Sequence, residues 1–392
     1  MLFSLAMMVL GGILFSELFQ KIKLPAKIGM IICGVIMGPH VLNWIDKSLI
    51  NDSTLIRDIA LIIILSRAAL MLDRKDLKKA GRPTILLCFV PACIEILGVV
   101  LLAPHLLGVS IIDAAIMGSV VAAVSPTVIV PRMIKISQES YGVEKSIPQM
   151  IMASASVDNV FVIVLFTCLI GFAAGSNSWQ SFAEIPLSIV LGTVVGIIVG
   201  IGMHIIFKSM HMRDSQKILI FLGFGLLFVA AQNSLSHIIP FSGFISILSM
   251  GIALRTKYSN LADRLATRCD KIWVFAQIML YVSVGATVDI STMPDKFGFT
   301  VILIIAMLFF RMIGVFLSLI GTKLNNKEKL FCVLSYTPKS TVQAAFGSIP
   351  LSMGLSSGNI ILSLSVLSIM ITAPLGGQLI AKTYKKLLSK MP

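Results

Sequence analysis

Long apolar runs dominate the chain, and short polar or basic stretches separate them. A helix needs about 20 apolar residues to cross a bilayer, so each long run is a candidate membrane span. Thirteen candidates follow one another, with approximate limits 2–19, 26–43, 55–72, 83–106, 110–133, 147–174, 184–207, 217–236, 240–255, 272–289, 298–321, 329–353 and 358–381. The pattern predicts an all-α integral membrane protein with about 13 transmembrane helices.

Composition supports the same class. Hydrophobic residues make up 57% of the 392 residues and charged residues only 13%, whereas soluble domains carry about 25% charge. So few charges could not cover a water-facing surface of this size, and membrane lipid is therefore the expected surroundings. The net charge of +14 comes with no basic–aromatic patch, so we expect no nucleic-acid partner.

Several function classes leave no pattern in this sequence. It has no Walker A motif, no potassium-filter signature and no Ser/His/Asp arrangement, which argues against an ATP-driven pump, a potassium channel and a hydrolase. Its six cysteines form no CxxC pair and its histidines show no metal spacing. We therefore expect neither an enzyme nor a resident cofactor.

The distribution of basic residues predicts the orientation. Loops that follow odd-numbered spans hold 26 of the 32 lysines and arginines, and the other loops hold only Lys47, Arg57 and Lys296. Basic loops stay in the cytoplasm. The N-terminus is thus predicted outside, with the first run kept as a span, and the C-terminus is predicted in the cytoplasm.

A few charged residues lie within predicted spans. They are Arg67, Glu95, Asp158, Arg311 and Lys339. A charge at the bilayer centre costs at least about 2.5–3.5 kcal/mol, so such residues are functional candidates.

Asp158 is the strongest candidate because a carboxylate can hold either a proton or a small cation. Asn159 can add a neutral oxygen ligand. We expect Lys339 to pair with Asp158 when no cation is bound, since lysine changes its protonation readily, and Arg311 to form a permanent ion pair with Glu95. A purely structural ion pair of Asp158 with a basic residue is the alternative.

The two halves of the chain echo each other. Three short matches recur at nearly one offset: Met37-Gly38 with Met250-Gly251 at 213 residues, Leu72-Asp73 with Val288-Asp289 at 216, and Ser125-Pro126 with Thr337-Pro338 at 212. An offset of seven spans turns the second copy upside down. Inverted repeats with interrupted helices are typical of secondary transporters.

Prolines interrupt two spans at repeat-related positions. Ser125 and Pro126 lie within span 5, and Pro338, Ser340 and Thr341 lie within span 12. A mid-helix proline removes a hydrogen bond, and the freed carbonyls and hydroxyls can face an ion. Simple proline kinks are the alternative.

Three stretches resemble the monovalent cation–proton antiporter superfamily, and most closely its NHA branch of sodium–proton antiporters with bacterial members. They are 121–131 (VAAVSPTVIVP), 141–145 (YGVEK) followed by 156–159 (SVDN), and 324–345 (LNNKEKLFCVLSYTPKSTVQAA). The span pattern extends the likeness over nearly the whole chain.

The resemblance implies an inverted-repeat antiporter fold with a core domain that moves like an elevator past a dimer domain. The dimer domain would comprise spans 1–3 (1–80) and 8–10 (211–295). The core would comprise spans 4–6 (81–175) and 11–13 (296–392), with a linker span at 176–210. The broken helices would cross near Thr127 and Ser340, and the protein would be a homodimer in a bacterial inner membrane.

One position departs from the family pattern. The NHA branch usually has two adjacent aspartates where this chain has Asp158-Asn159, and the second acid is the principal ion ligand there. Three interpretations stay open. In the first, Asp158 both pairs with a basic residue, as the first acid tends to do in the family, and binds the transported ion in one-for-one exchange. In the second, the chain binds ions poorly or serves a changed role. In the third, Asn159 is a deliberate replacement of an aspartate.

The expected function is therefore Na⁺(Li⁺)/H⁺ antiport. Asp158 would bind Na⁺ or Li⁺ in competition with a proton, assisted by Asn159 and Thr127. The alternatives are a K⁺/H⁺ antiporter, or a channel or sensor that keeps the fold without coupled exchange.

Overall fold

A computed structural model describes residues 1–22, 24–46, 48–49, 53–71, 81–174, 179–210, 212–235, 241–288, 297–339 and 341–390, and the side chains of 174, 179–186, 233, 235 and 341 lie outside that description. The named elements within these ranges are all helices. They are α1 (Leu2–Lys21), α2 (Ala26–Met37), α3 (Ser53–Met71), α4 (Gly81–Leu107), α5 (Ile111–Ala122), α6 (Pro126–Gln138), α7 (Ile147–Ala174), α8 (Trp179–Ser209), α9 (Asp214–Leu235), α10 (Gly243–Lys257), α11 (Ser259–Thr287), α12 (Phe297–Ser318), α13 (Asn326–Ser335), α14 (Thr341–Phe346), α15 (Ile349–Ser352) and α16 (Gly358–Leu387).

Each predicted span coincides with one helix or one interrupted group of helices. Span 5 is the pair α5–α6, and span 12 is the group α13–α15. Nine segments of the described residues are long and apolar enough to cross a membrane, the α5–α6 pair among them. The all-helical membrane class is thus confirmed, whereas the count of thirteen crossings stays a prediction, since α2 has only 12 residues and α10 only 15.

Helix α12 shows how the apolar surface is arranged. Phe299, Ile302, Ile305 and Phe309 are about half exposed, at 47–63%. The opposite face is buried and carries Arg311, which is 0% exposed. A helix with an apolar outer face and a charged inner face suits a lipid surrounding, because the bilayer accepts the outer face and the protein interior must satisfy the charge.

The described chain packs as two compact units. One lies within residues 1–51, 75–166 and 281–392, and the other within 52–74 and 167–280. In the second unit, Arg67 of α3 forms an ion pair with Asp270 of α11, with 2.5 Å between nitrogen and oxygen. The units follow packing alone, so the division into core, linker and dimer domains stays a prediction.

Glycines bring α4 and α12 into close contact in the first unit. A Cβ at Gly314 would lie 2.6 Å from the Cα of Pro91, and a Cβ at Gly98 would lie 2.4 Å from the Phe310 ring. Only glycine therefore fits at these crossing points, as is common where membrane helices approach closely. The crossing brings together the segments that carry Glu95 and Arg311.

A second close crossing joins α2 to the end of α11. A Cβ at Gly34 would lie 2.0 Å from the carbonyl oxygen of Val282, and one at Gly285 would lie 2.1 Å from that of Ile31. The crossing places the first turn of α2 beside Tyr281.

Replacing Gly314 with alanine is predicted to force α4 and α12 apart. Overpacking of this kind lowers the free energy of unfolding by about 1–3 kcal/mol. The matched control is Gly298→Ala on the same helix, where a Cβ would meet nothing within 4 Å. Unfolding of the purified variants in detergent measures the stability of each. Equal stability of Gly314→Ala and Gly298→Ala would contradict the packing assigned to Gly314.

Candidate functional site

The interruption between α5 and α6 exposes backbone groups deep inside the protein. Helix α5 ends at Ala122, and Pro126 begins α6 in its first turn, where its missing N–H is not needed. The last carbonyls of a helix lack partners within it. Here Gln343 donates to the carbonyl oxygens of Val121 (3.2 Å) and Ala123 (2.7 Å), and Arg311 donates to that of Ala122.

The interruption between α13 and α14 begins after a well-fixed helix. Asn325 caps α13 and exchanges two 2.8 Å hydrogen bonds with Glu328. The same Glu328 carboxylate accepts from Lys145 at 2.8 Å, which joins two of the stretches singled out in the sequence. Helix α13 ends at Ser335, and Thr337, Pro338 and Lys339 continue as non-helical chain.

The two interruptions meet. The N–H of Ser125 donates to the carbonyl oxygen of Pro338 at 2.8 Å. Helical structure is interrupted beside both Pro126 and Pro338, and the two interruptions meet within two residues of Thr127 and Ser340, where a crossing was expected. Ser340 and the side chain of Thr341 lie outside the described residues, so the proposed contribution of each stays a prediction.

Four fully buried charged side chains form one network beside this crossing. Arg311 lies 2.8 Å from Glu95 and 3.0 Å from Asp158, measured between guanidinium nitrogen and carboxylate oxygen. Lys339 contacts the other oxygen of Glu95, and all four side chains are 0% exposed. Two acids and two bases make the network neutral when all four are ionised, which avoids an uncompensated charge in the membrane interior.

The ion pair expected between Glu95 and Arg311 is present, but the pairing expected between Lys339 and Asp158 is wrong in this structure. Lys339 binds Glu95 instead. The reason is that the Arg311 guanidinium reaches both acids at once, and the same Asp158 oxygen also accepts the N–H of Val124 at 3.0 Å. Glu95 has one oxygen for each base.

Tyr336 holds Arg311 from one side. Its ring centre lies 5.5 Å from the guanidinium carbon, within the range of a cation–π contact. Its hydroxyl shares a hydrogen bond with Ser154, which lies one turn before Asp158 on α7. Neither Tyr336 nor Gln343 was assigned a role from the sequence, although both are polar groups next to the Pro338 break.

Within the described part of the chain, two buried oxygens on consecutive residues of α7 lack a hydrogen-bond partner. Oδ1 of Asp158 and Oδ1 of Asn159 are buried atoms without a hydrogen-bond partner among the described residues. Buried polar atoms are rarely left unsatisfied. Carboxylate and amide oxygens are ligands that hard cations prefer, so the donor chemistry of both groups suits a small cation.

Thr127 lies in the first turn of α6, and its hydroxyl is 3.0 Å from that of Ser125. It also accepts a hydrogen bond from Lys27, at the start of α2. Lys27 is one of the 26 basic residues assigned to loops from the sequence, at the edge of the span 26–43, and it was given no part in the site, so this contact was missed. The described residues contain no cluster of three or more His, Cys, Asp or Glu side chains that could hold a metal ion.

The amino-acid sequence matches a known family of membrane proteins. The model of the transmembrane sodium/hydrogen exchanger family matches residues 5–386. Human sodium/hydrogen exchanger 9B2 is 33% identical over 100% of this chain and 76% of the relative. Human sodium/hydrogen exchanger 9B1 is 28% identical over 99% of this chain and 78% of the relative.

A solved structure shares the fold. The sodium proton antiporter MjNhaP1 from Methanocaldococcus jannaschii, determined at pH 8, matches with a TM-score of 0.81 and 22% sequence identity. The match covers 97% of this chain and 98% of that one. At this identity the likeness shows the architecture alone.

Neutralising Glu95 alone is predicted to destabilise the protein strongly. Glu95→Gln leaves Arg311 and Lys339 facing a single acid, and breaking a buried pair in this way costs about 3–5 kcal/mol. Glu95→Gln combined with Lys339→Met removes one charge of each sign and should recover most of the loss. Glu17→Gln, at an exposed position on α1, is the matched control.

Unfolding in detergent measures the stability of Glu95→Gln, of Lys339→Met, of the double variant and of the control. A double variant whose loss equals the sum of the two single losses would contradict a shared network, because independent sites add and coupled sites do not.

Proposed function

The chain belongs to the family of transmembrane sodium/hydrogen exchangers, and from this premise we propose that it exchanges Na⁺ or Li⁺ for protons through Asp158. The family is one of membrane transporters and not of enzymes. The function of the family is sodium/proton exchange across a membrane.

The position of Asp158 is the observation that carries the proposal. Its side chain is 0% exposed, next to the meeting point of two interrupted helices. One carboxylate oxygen is held by Val124 and Arg311, whereas Oδ1 has no hydrogen-bond partner among the described residues. The second oxygen can therefore take either a proton or a cation while the first keeps the side chain in place.

Charge balance makes these two occupants exclusive. The neutral network gains one positive charge when Asp158 binds a proton, and gains the same charge when it binds Na⁺. Holding both would add two charges in a medium that solvates them poorly. A carrier with equal charge in its two loaded forms exchanges one cation for one proton without moving net charge.

Asn159 and Thr127 are proposed as auxiliary ligands. The amide oxygen of Asn159 is buried and has no hydrogen-bond partner in the described part of the chain. The Thr127 hydroxyl lies at the start of α6, beside the break. Neutral oxygens at both positions would complete a cation shell without adding a second negative charge.

Alternating access is proposed to follow an elevator movement. The core, residues 81–175 and 296–392, would carry the site past a dimer domain formed by 1–80 and 211–295, with 176–210 as a linker. The protein would work as a homodimer in a bacterial inner membrane, with its N-terminus outside. The interrupted helices and the one-sided basic loops support this arrangement.

The same site would also suit K⁺/H⁺ exchange, and a channel or sensor would retain the fold without coupling cation flux to proton movement. Competition between Na⁺, Li⁺ and K⁺ in one vesicle preparation distinguishes K⁺/H⁺ exchange from Na⁺/H⁺ exchange. Cation flux that proceeds without proton movement identifies the channel or sensor.

Asp158→Asn is predicted to abolish Na⁺-dependent dissipation of a pH gradient in reconstituted vesicles, because it removes the group that proton and cation share. The matched control is Asp113→Asn. That acid lies in the first turn of α5 and is also largely buried, at 9% exposed, but belongs to no part of the site. Exchange that persists unchanged in Asp158→Asn would contradict the proposed role of Asp158.

Asn159→Asp tests whether Asp158 both pairs with Arg311 and binds the transported ion. We expect the unaltered chain to exchange without responding to an imposed membrane potential, and the second carboxylate to make transport voltage-dependent. Near-zero exchange in the unaltered chain, together with a large gain in Asn159→Asp, would show instead that the chain lacks its main ligand.

A further inference from the structure

Lys27 brings a positive charge to the interrupted helix from outside the four-residue network. It is the second residue of α2, and its ammonium donates a hydrogen bond to the Thr127 hydroxyl. The same ammonium lies over the Tyr281 ring, 5.6 Å from the ring centre. A lysine between a hydroxyl and an aromatic face is held in place by two different contacts.

The surrounding backbone fixes this position. Glycines at 34 and 285 allow α2 and α11 to cross at contact distance, which puts the first turn of α2 beside Tyr281. Thr127 follows Pro126 at the start of α6 and is 3.0 Å from Ser125, hydroxyl to hydroxyl. The ammonium thus sits where the second half of the broken helix begins.

We propose that Lys27 is a tethered cation that occupies the approach to the ion site and must leave before Na⁺ can use the Thr127 hydroxyl. This inference rests on the proposed function and adds a residue that sets the apparent cation affinity. The structure supplies the competitor and the shared ligand in one contact.

The physical reason is that an ammonium and Na⁺ carry the same charge and seek the same oxygen. The Thr127 hydroxyl has two lone pairs and one hydrogen, and it already serves Lys27 and Ser125. Two like charges a few ångströms apart repel strongly away from bulk water. A substrate cation therefore enters only as Lys27 withdraws, and Lys27 raises the Na⁺ concentration that exchange requires.

Thr127 and Lys27 also lie in different domains of the proposed transporter. Thr127 falls in the proposed core and Lys27 in the proposed dimer domain, so their contact would break and reform in an elevator cycle. The one-sided basic loops assign this end of α2 to the cytoplasm. Lys27 would thus control the cytoplasmic approach.

The test compares Lys27→Met, which keeps an unbranched side chain one atom shorter and removes the charge, with Lys27→Arg, which keeps the charge. Lys27→Met should lower the Na⁺ concentration for half-maximal exchange by at least about tenfold, since removing a nearby like charge is worth that much or more. Lys27→Arg should retain the high requirement. Lys21→Met is the matched control, because it removes an exposed lysine at the end of α1 and alters net charge equally.

A double-mutant cycle with Thr127→Val separates competition from simple support. If Lys27 acts through this hydroxyl, Lys27→Met has little further effect in the Thr127→Val background. A merely structural lysine would instead lower the unfolding midpoint and the maximal rate while leaving the Na⁺ requirement unchanged or higher, and that result would overturn the proposal.

Binding of radioactive sodium to the purified protein distinguishes failure of this inference from failure of the proposed function. Tighter binding in Lys27→Met than in Lys21→Met supports the tethered cation even if no proton exchange is found. Equal binding in the two variants, with exchange intact, overturns the role of Lys27 and leaves the proposed function standing.

Discussion

The guanidinium of Arg311 is the group on which the interior of this protein depends. It binds Glu95, Asp158 and the carbonyl of Ala122 at the end of α5, with the Tyr336 ring against its face. An arginine stays charged throughout and offers five donors in a rigid fork. Buried in a membrane protein, such a charge requires acids around it, so it draws α4, α5 and α7 towards one point. The carboxylate that we propose as the ion carrier is one of those acids.

Two features allow this point to form. Glycine at 314 lets α12 touch α4 at Pro91, so that Arg311 reaches Glu95 without a gap. Interrupted helices supply backbone carbonyls and N–H groups where an intact helix would have none free, and Arg311, Gln343 and Asp158 bind them. Close packing and broken backbone thus hold the same site together, and a neutral charge count makes it tolerable in the bilayer.

Much of this could be predicted from the sequence, because a proline or a charge in an apolar run is a local signal. The breaks at Pro126 and Pro338 and the pairing of Glu95 with Arg311 follow from such signals. The partner of Lys339 could not be predicted, since it depends on how the Arg311 fork divides its donors between two acids. The contact of Lys27 with Thr127 could not be predicted either, because a lysine at a span end has the same sequence pattern as any other basic loop residue.

We propose that one buried carboxylate, Asp158, holds either a proton or a cation. The most direct measurement is the dissociation constant of Na⁺ for the purified protein as a function of pH. Competition at a single carboxylate predicts that this constant rises about tenfold for each unit by which pH falls, over the range in which the site takes up its proton. A dissociation constant that stays the same across that range, with Na⁺ still bound, would contradict the account.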